Sequence, residues 1–488
     1  MEEQTNRQDT LFDKLKEYRD SDFYPYHMPG HKGSRIGEFP AEITGMDITE
    51  IDGFDDLHQP QGIILSIQKR VSMMYGAEES FLLVNGSTSG MLSAISAAVE
   101  PGGNLLMARN CHKSAYHAAY LRKLNLKFLS PKINDSGVTG AVTAEMVRDR
   151  LDKEEDIGAV LIVSPTYEGY IANVREIAKI VHGRGIPLIV DEAHGAHLGL
   201  AEGFAENSCQ AGADIVIHSV HKTLPSLTQT ALLHVSGCLI DREKLRRFLR
   251  IYQTSSPSYL FMASIDNLIW TMEKEGAQKL AWFRDRYLKM CAILQQCKFL
   301  EFPQGTFTED EVWGGKDIGK LIISGKKCGI SGQYIYDILR DRFHLQLEMA
   351  APAYCLAMFT INDTEDAYER MMEACLTIDR ELAGNFVCGD WIKYDSNEGK
   401  EKEADVIPFY EAWAMATEEV MLEDAPGRYA GEFINLYPPG IPYVIPGEKI
   451  SAEDCRKTME YISKGLKVQG VYKNAGTSDT IYVKVVRR

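Results

Sequence analysis

Seven short apolar runs, several of them separated by amphipathic segments of helix length, constrain this chain more than any other feature. They are Phe81–Val84, Asn104–Ala108, Lys127–Leu129, Ala159–Val163, Pro187–Val190, Asp214–Ile217 and Ala231–Val235. Uniformly apolar runs of this length suit strands covered on both faces, and the helix-length intervals supply the crossovers. The expectation is an α/β fold, a mostly parallel sheet with helices on both sides. In such sheets cofactor chemistry sits beyond the carboxyl ends of the strands. The residues that follow each run are therefore the informative ones.

After the first run comes Asn85-Gly-Ser-Thr-Ser-Gly90, leading into the helix-forming MLSAISAAV. Small residues and hydroxyls at a strand-to-helix turn gather N–H and O–H donors at a helix N-terminus, which suits a phosphate. The same residues also cap helices without any ligand. No Lys follows the last Gly, so this is not the phosphate loop of a nucleotide hydrolase. The second run leads to Arg109-Asn-Cys-His112-Lys-Ser114, where His112 is either an ordinary surface or core residue or a partner for a flat ligand. The fifth ends at Asp191-Glu-Ala-His194-Gly-Ala-His197. A carboxylate at the end of a fully apolar strand needs a cation or donors to meet it. A metal held by Asp191, His194 and His197 is disfavoured, because helical metal ligands prefer i, i+4 spacing. The sixth leads to His218-Ser-Val-His221-Lys222-Thr. Lys222 is flanked by apolar and small residues, and a desolvated lysine is a nucleophilic amine suited to Schiff-base chemistry. Taken together, phosphate donors, a stacking His, an Asp at one strand end and a Lys at the next are what pyridoxal 5′-phosphate (PLP) requires.

The rest of the chain is less explicit. Residues 1–60 read as a polar arm with a helix near 9–19, 61–300 as the large domain, 301–390 as a small α/β domain and 391–488 as a C-terminal region. Asp266–Cys297 reads as a long amphipathic helix, and Lys320–Ser324 and Cys355–Ile361 as strands with a helix between them. Tyr394–Ala404 reads as an exposed connection. The 488 residues carry 53 basic and 69 acidic side chains, a net charge of −16, which disfavours nucleic acid or an anionic membrane as partner. No apolar run reaches the length of a membrane span, and the N-terminus lacks the apolar core of a secretory signal, so the expected location is the cytoplasm. The ten cysteines are scattered with no CxxC pair and read as reduced thiols, with no metal site.

These stretches resemble the short, Gram-positive-type branch of the Orn/Lys/Arg decarboxylase family, fold-type I PLP enzymes with an aspartate-aminotransferase-like large domain and a seven-stranded, mostly parallel sheet. The similarity rests on His27-Met-Pro-Gly-His-Lys-Gly33, Thr49–His58, Asn85–Gly90, Asn110–Ser114, Ser164-Pro-Thr-Tyr-Glu-Gly169, Asp191–Gly195, Ser219–Lys222 and Tyr437-Pro-Pro-Gly-Ile-Pro442. The resemblance implies that Lys222 is the Schiff-base lysine, that Asp191 faces the pyridine nitrogen and that His112 stacks on the ring. It further implies that Ser87, Thr88, Ser89, Ser219 and His221 grip the phosphate, that His194 flanks the ring and that Glu432 meets the substrate's distal amine. A homodimer is implied, with Ser255 or Ser256 reaching a neighbour's phosphate. The long bacterial members carry an N-terminal receiver-like wing that this chain begins without, so their ring-shaped assemblies are not expected.

The implied reaction is α-decarboxylation of a basic amino acid, with arginine favoured over lysine and ornithine, in polyamine metabolism. An aminotransferase would share Asp191 and Lys222 but would usually grip the α-carboxylate with an Arg that the sequence does not single out. A non-catalytic decarboxylase-like regulator would not need the intact Lys222, Asp191 and His112 set. The acidic segment Asp47–Asp56 is either a solvated loop or a mouth for a cationic substrate, with Asp55 and Asp56 as the residues to reverse.

Overall fold

The computed structural model describes residues 10–134, 136–303, 315–383, 406–438, 440–473 and 480–487. The segment Tyr394–Ala404 lies outside them, as does Pro439 of the Tyr437–Pro442 stretch. The strands of the main sheet are β1 (Glu79–Leu83), β2 (Asn104–Ala108), β3 (Asn125–Leu129), β4 (Ile157–Val163), β6 (Leu188–Asp191), β7 (Ile215–His218) and β8 (Ala231–Val235), with a two-residue strand β5 (Tyr170–Ile171) outside it. Each of the seven apolar runs is thus a strand. The sheet order is β1-β8-β7-β6-β4-β2-β3. β2 runs parallel to β3 and β4, and β6 parallel to β7, whereas β8 is antiparallel to both β7 and β1.

By compactness the chain divides into two units, Met1–Ala98 with Pro187–Trp282 and Val99–Ile186 with Phe283–Arg488. In the first unit the helices are α1 (Leu11–Arg19), α2 (Ala41–Thr44), α3 (Ile63–Tyr75) and α4 (Gly86–Ala98). Thr10 caps α1 through the N–H of Asp13. The residue preceding α3 is Gly62, which has no side chain to cap with. The Asp55 carboxylate does this instead, accepting N–H bonds from Gln61, Gly62 and Ile64. Burial works against ionisation of Asp55, but these donors and the Asp56 N–H outweigh it and hold the carboxyl below its usual range. That occupation gives Asp55 a structural role in the acidic segment.

α4 packs tightly on the sheet. A Cβ at Gly90, inside α4, would lie 2.6 Å from Leu83 Cδ1 and 3.3 Å from Ile217 Cγ2, so glycine there lets the helix approach the sheet closely. The helix expected over Asp266–Cys297 begins earlier and spans Tyr259–Leu294, because the apolar stretch from Tyr259 to Ile265 continues its buried face.

In the second unit, α5 (Lys113–Arg122) follows β2, with His112 as its N-cap. β5 pairs with β9 (Gly315–Lys316). A small antiparallel sheet joins β10 (Lys320–Ser324), β12 (Tyr354–Met358) and β11 (Met349–Ala350), and the helix Gly332–Phe343 stands in the interval as expected. Its core gathers Val138, Ile322, Met349, Tyr354 and Leu356. The C-terminal region forms two further three-stranded sheets, β13 (Thr417–Met421), β18 (Ile481–Val486) and β17 (Val471–Lys473), and β15 (Pro442–Val444), β14 (Ile434–Leu436) and β16 (Val468–Gln469), over a core that includes Val444, Ile450, Val483 and Val485.

Candidate active site

β6 ends at Asp191, and β7 leads through Ser219 into a single helical turn, Val220–Thr223, that carries Lys222. The two strands are paired in register with Asp191 opposite Ile217, which brings both strand ends to the same level. Asp191 is buried, and its Oδ1 accepts one bond, 3.2 Å, from the Ala193 N–H. Burial pushes its carboxyl above the ordinary value, while the nearby Lys222 charge and that N–H pull the other way. A buried carboxylate with so few donors is matched to a cationic partner. Lys222 Nζ lies 3.1 Å from His194 Nε2, so the ring nitrogen can hold or exchange a proton with the amine.

Ser219 and Ser87 meet hydroxyl to hydroxyl at 2.8 Å, which joins the turn before Lys222 to the first turn of α4. Ser87 is half-buried and Thr88 exposed at that helix N-terminus, whereas Ser89 is buried and donates to Gly86 O. His221 Nδ1 contacts Thr230 O at 2.7 Å, so this nitrogen carries the proton and Nε2 is the acceptor. Burial lowers the pKa of this ring. Within the first unit, then, Ser87, Asp191, His194, Ser219 and Lys222 converge. Ser255 and Ser256 are exposed in the segment after Gln253.

His112 and Glu432 belong to the second unit. His112 Nδ1 accepts from the Ser114 N–H at 3.2 Å and lies 3.0 Å from Ser114 Oγ, so its ring is oriented by the start of α5. Glu432 accepts from the Phe433 N–H, and its charge acts on Lys113 and His117. Burial lowers the pKa of both of those groups.

Three polar clusters escape sequence reasoning. Arg109, in the second unit, is paired with Glu448 at 3.1 Å and also donates to Tyr116 Oη and Pro442 O. In the same unit the buried Lys316 donates to Glu168 O, and Tyr354 Oη donates to Glu168 Oε1 at 2.8 Å. Burial raises the Glu168 carboxyl and pushes Lys316 down to about 7, against the neighbouring charges of Glu168 and Asp317. Lys316 stands in the polar, glycine-rich stretch Gly314-Gly-Lys-Asp-Ile-Gly319, which carries no local signal that its amine is buried. Glu448 and Pro442 are too remote from Arg109 in sequence for any local signal. In the first unit, a chain of buried polar residues behind Asp191 was likewise unread. Its signal was the charge of Glu192 directly after an apolar strand. Among the described residues, no group of three or more His, Cys, Asp or Glu side chains could hold a metal ion, and no helix is long and apolar enough to cross a membrane.

The fold is that of the fold-type I PLP-dependent enzymes. The lysine decarboxylase LdcF of Francisella novicida superposes with a TM-score of 0.84 at 18% identity, covering 98% of this chain and 81% of that one. The description "Orn/Lys/Arg decarboxylase, major domain" matches residues 9–328, and the corresponding C-terminal domain matches residues 404–487. This chain belongs to the Orn/Lys/Arg decarboxylase family. Similar curated proteins include the arginine decarboxylase of Bacillus subtilis, 31% identical over 94% of this chain and 95% of its own length. The uncharacterized protein YaaO of the same organism is 32% identical over 97% of this chain and 98% of its own.

Proposed function

We propose that this chain is a PLP-dependent α-decarboxylase of a basic amino acid, with arginine as its preferred substrate, working as a cytoplasmic homodimer in polyamine metabolism. The observation that carries the reading is the convergence of Asp191, His194 and Lys222 at adjoining strand ends. The residues fit PLP: Asp191 is a buried carboxylate in need of a cation, Lys222 is an amine beside a ring nitrogen, and Ser87 and Ser219 gather hydroxyls at the N-terminus of α4. Bound there, PLP would supply an electron sink for the pair of electrons left when CO₂ departs.

The chain's own residues do the rest. Asp191 holds a proton on the opposing ring nitrogen by its negative charge. Lys222 would be the residue that holds the cofactor's aldehyde carbon, with His194 Nε2, 3.1 Å away, placed to hold or return a proton at Nζ. Ser87, Ser219 and the α4 N–H groups hold the phosphate, with Thr88, Ser89 and His221 as further candidates. His112 is the candidate ring-stacking partner and Glu432 the candidate contact for the distal cation. A guanidinium prefers a planar, bidentate carboxylate, while an ammonium accepts a point contact.

The arginine preference rests on the arginine decarboxylase relatives that match across nearly the whole chain. A side-by-side assay of CO₂ and amine release from arginine, lysine and ornithine tests it. Greatest kcat/KM with arginine supports the reading, and keto-acid formation without CO₂ would replace the decarboxylase with an aminotransferase.

A further inference from the structure

Directly behind Asp191 runs a line of buried polar side chains that the proposed chemistry does not use. Ser80 Oγ lies 2.8 Å from His234 Nδ1, His234 Nε2 3.0 Å from His218 Nδ1, and His218 Nε2 2.7 Å from Glu192 Oε2. Glu192 Oε1 also accepts from Ser208 Oγ at 2.7 Å, and both of its oxygens lie 3.1 Å from the Ser208 nitrogen. Ser80, His234, His218, Glu192 and Ser208 are all at most 3% exposed. Tyr75 covers the two histidines, with ring centroids 4.7 and 4.8 Å away.

The line ties together the two strand ends that matter. Glu192 follows Asp191, and its N–H donates to Ile217 O at 3.0 Å. His218 is the last residue of β7 and leads through Ser219 to Lys222. The Glu192–His218 contact is therefore a side-chain brace across the final backbone pairing between the Asp191 strand and the Lys222 strand. We propose that Glu192 and His218 are positioning residues that set Asp191 against Lys222, and that Ser80, His234 and His218 form a one-way hydrogen-bond chain whose protons all point toward an ionised Glu192.

The direction follows from donor and acceptor arithmetic. A neutral imidazole has one donor and one acceptor. An ionised Glu192 accepts at both oxygens, so it takes the Ser208 donors and requires His218 to present Nε2–H. His218 Nδ1 must then accept from His234 Nε2–H, and His234 Nδ1 from the Ser80 hydroxyl. Burial pushes His218 down to about 3 and His234 well below its ordinary value, so both rings stay neutral at physiological pH. The other titratable groups acting on this line are His197 on His218, and Tyr75 and Cys209 beside Glu192. A Glu192 protonated on Oε2 would donate to His218 and reverse the bonds from there to Ser80, and a charged His218 would donate from both of its nitrogens.

The proposal rests on the PLP reading for its consequence but not for its proton order, and two measurements separate them. ¹⁵N NMR of the full-length protein labelled at histidine should give neutral Nε2–H tautomers for both His218 and His234 between pH 6 and 8. Nδ1–H tautomers, or an imidazolium at His218, would overturn the chain. In the second measurement, PLP titrated into cofactor-free protein is followed by absorbance. His218→Phe and Glu192→Gln should weaken its dissociation constant by about tenfold or more, the order typical of outer-shell partners at bound-metal sites. They should also shift the pH titration of the bound cofactor's absorbance, and His218→Gln, which keeps an N–H near Glu192, should restore much of the affinity. Wild-type affinity and an unmoved titration in both His218→Phe and Glu192→Gln would leave only a structural role and overturn the positioning claim. If His218→Phe fails to fold, Glu192→Gln and the NMR experiment still decide. A wild-type protein that takes up no PLP would refute the functional reading, while the NMR result would stand on its own.

Discussion

The two units of this molecule each bury charge, but by different means. In the first, His194 and Lys222 are 28 residues apart and stand at the ends of strands hydrogen-bonded to each other. In the second, Arg109 and Glu448 are 339 residues apart, and the arginine is saturated by a carboxylate, a phenol and a carbonyl. Asp191 accepts a single N–H, from Ala193 at 3.2 Å, whereas Glu448 receives the guanidinium and the Ile445 N–H as well. The second pair is a completed structural device, and its parts satisfy one another. Asp191, by contrast, is a buried carboxylate with one N–H donor, as expected of a group that completes its bonding with something the chain binds.

Substitutions should separate the two kinds. Lys222→Ala should eliminate turnover while leaving thermal unfolding near wild type, since the amine serves the ligand rather than the fold; steady-state activity in this variant would break the contrast. Asp191→Ala should lower kcat by about 10²-fold or more, the range for removing one preorganised electrostatic group. Its folding should be almost unaffected, because a buried carboxylate with a single backbone donor contributes little to stability. An unchanged kcat would remove its assigned role.

Arg109→Met should do the reverse. It should destabilise the protein by about 3–5 kcal/mol in denaturant titrations, by leaving Glu448 buried without its cation. Replacing both partners with apolar residues should recover most of that loss, and a single variant as stable as wild type would show the pair to be ornamental. The last contrast is a pH dependence, at Lys316. Burial brings its folded-state pKa to about 7, against 10.5 in the unfolded chain. Between those values the unfolded chain holds a proton that the folded one lacks, so stability rises with pH across that window. Relative to Lys316→Met, the wild-type protein should therefore gain stability as pH rises from 7 toward 10; a flat difference would mean that the lysine keeps its proton.

The same contrast explains what could be read from sequence. Seven strands were visible because β2, β4, β6, β7 and β8 are nearly all apolar, covered from both sides. Asp191 and Lys222 were visible because each interrupts that pattern where its strand ends. Glu192, His218 and His234 were passed over for a different reason. They are polar residues inside the apolar runs or beside them, and their meaning appears only when neighbouring strands align them. Arg109 and Glu448 carried no signal at all, since a pair brought together by tertiary folding has no spacing to recognise. Asp55 was noticed as one acid among several, and only the loop's curvature shows that it caps α3 in place of Gly62.

The most direct measurement is reductive trapping. Full-length protein loaded with PLP, reduced with borohydride and digested, should yield a single pyridoxyl-labelled peptide with the label on Lys222. A label on any other lysine, or no label in protein that has bound the cofactor, would contradict the account.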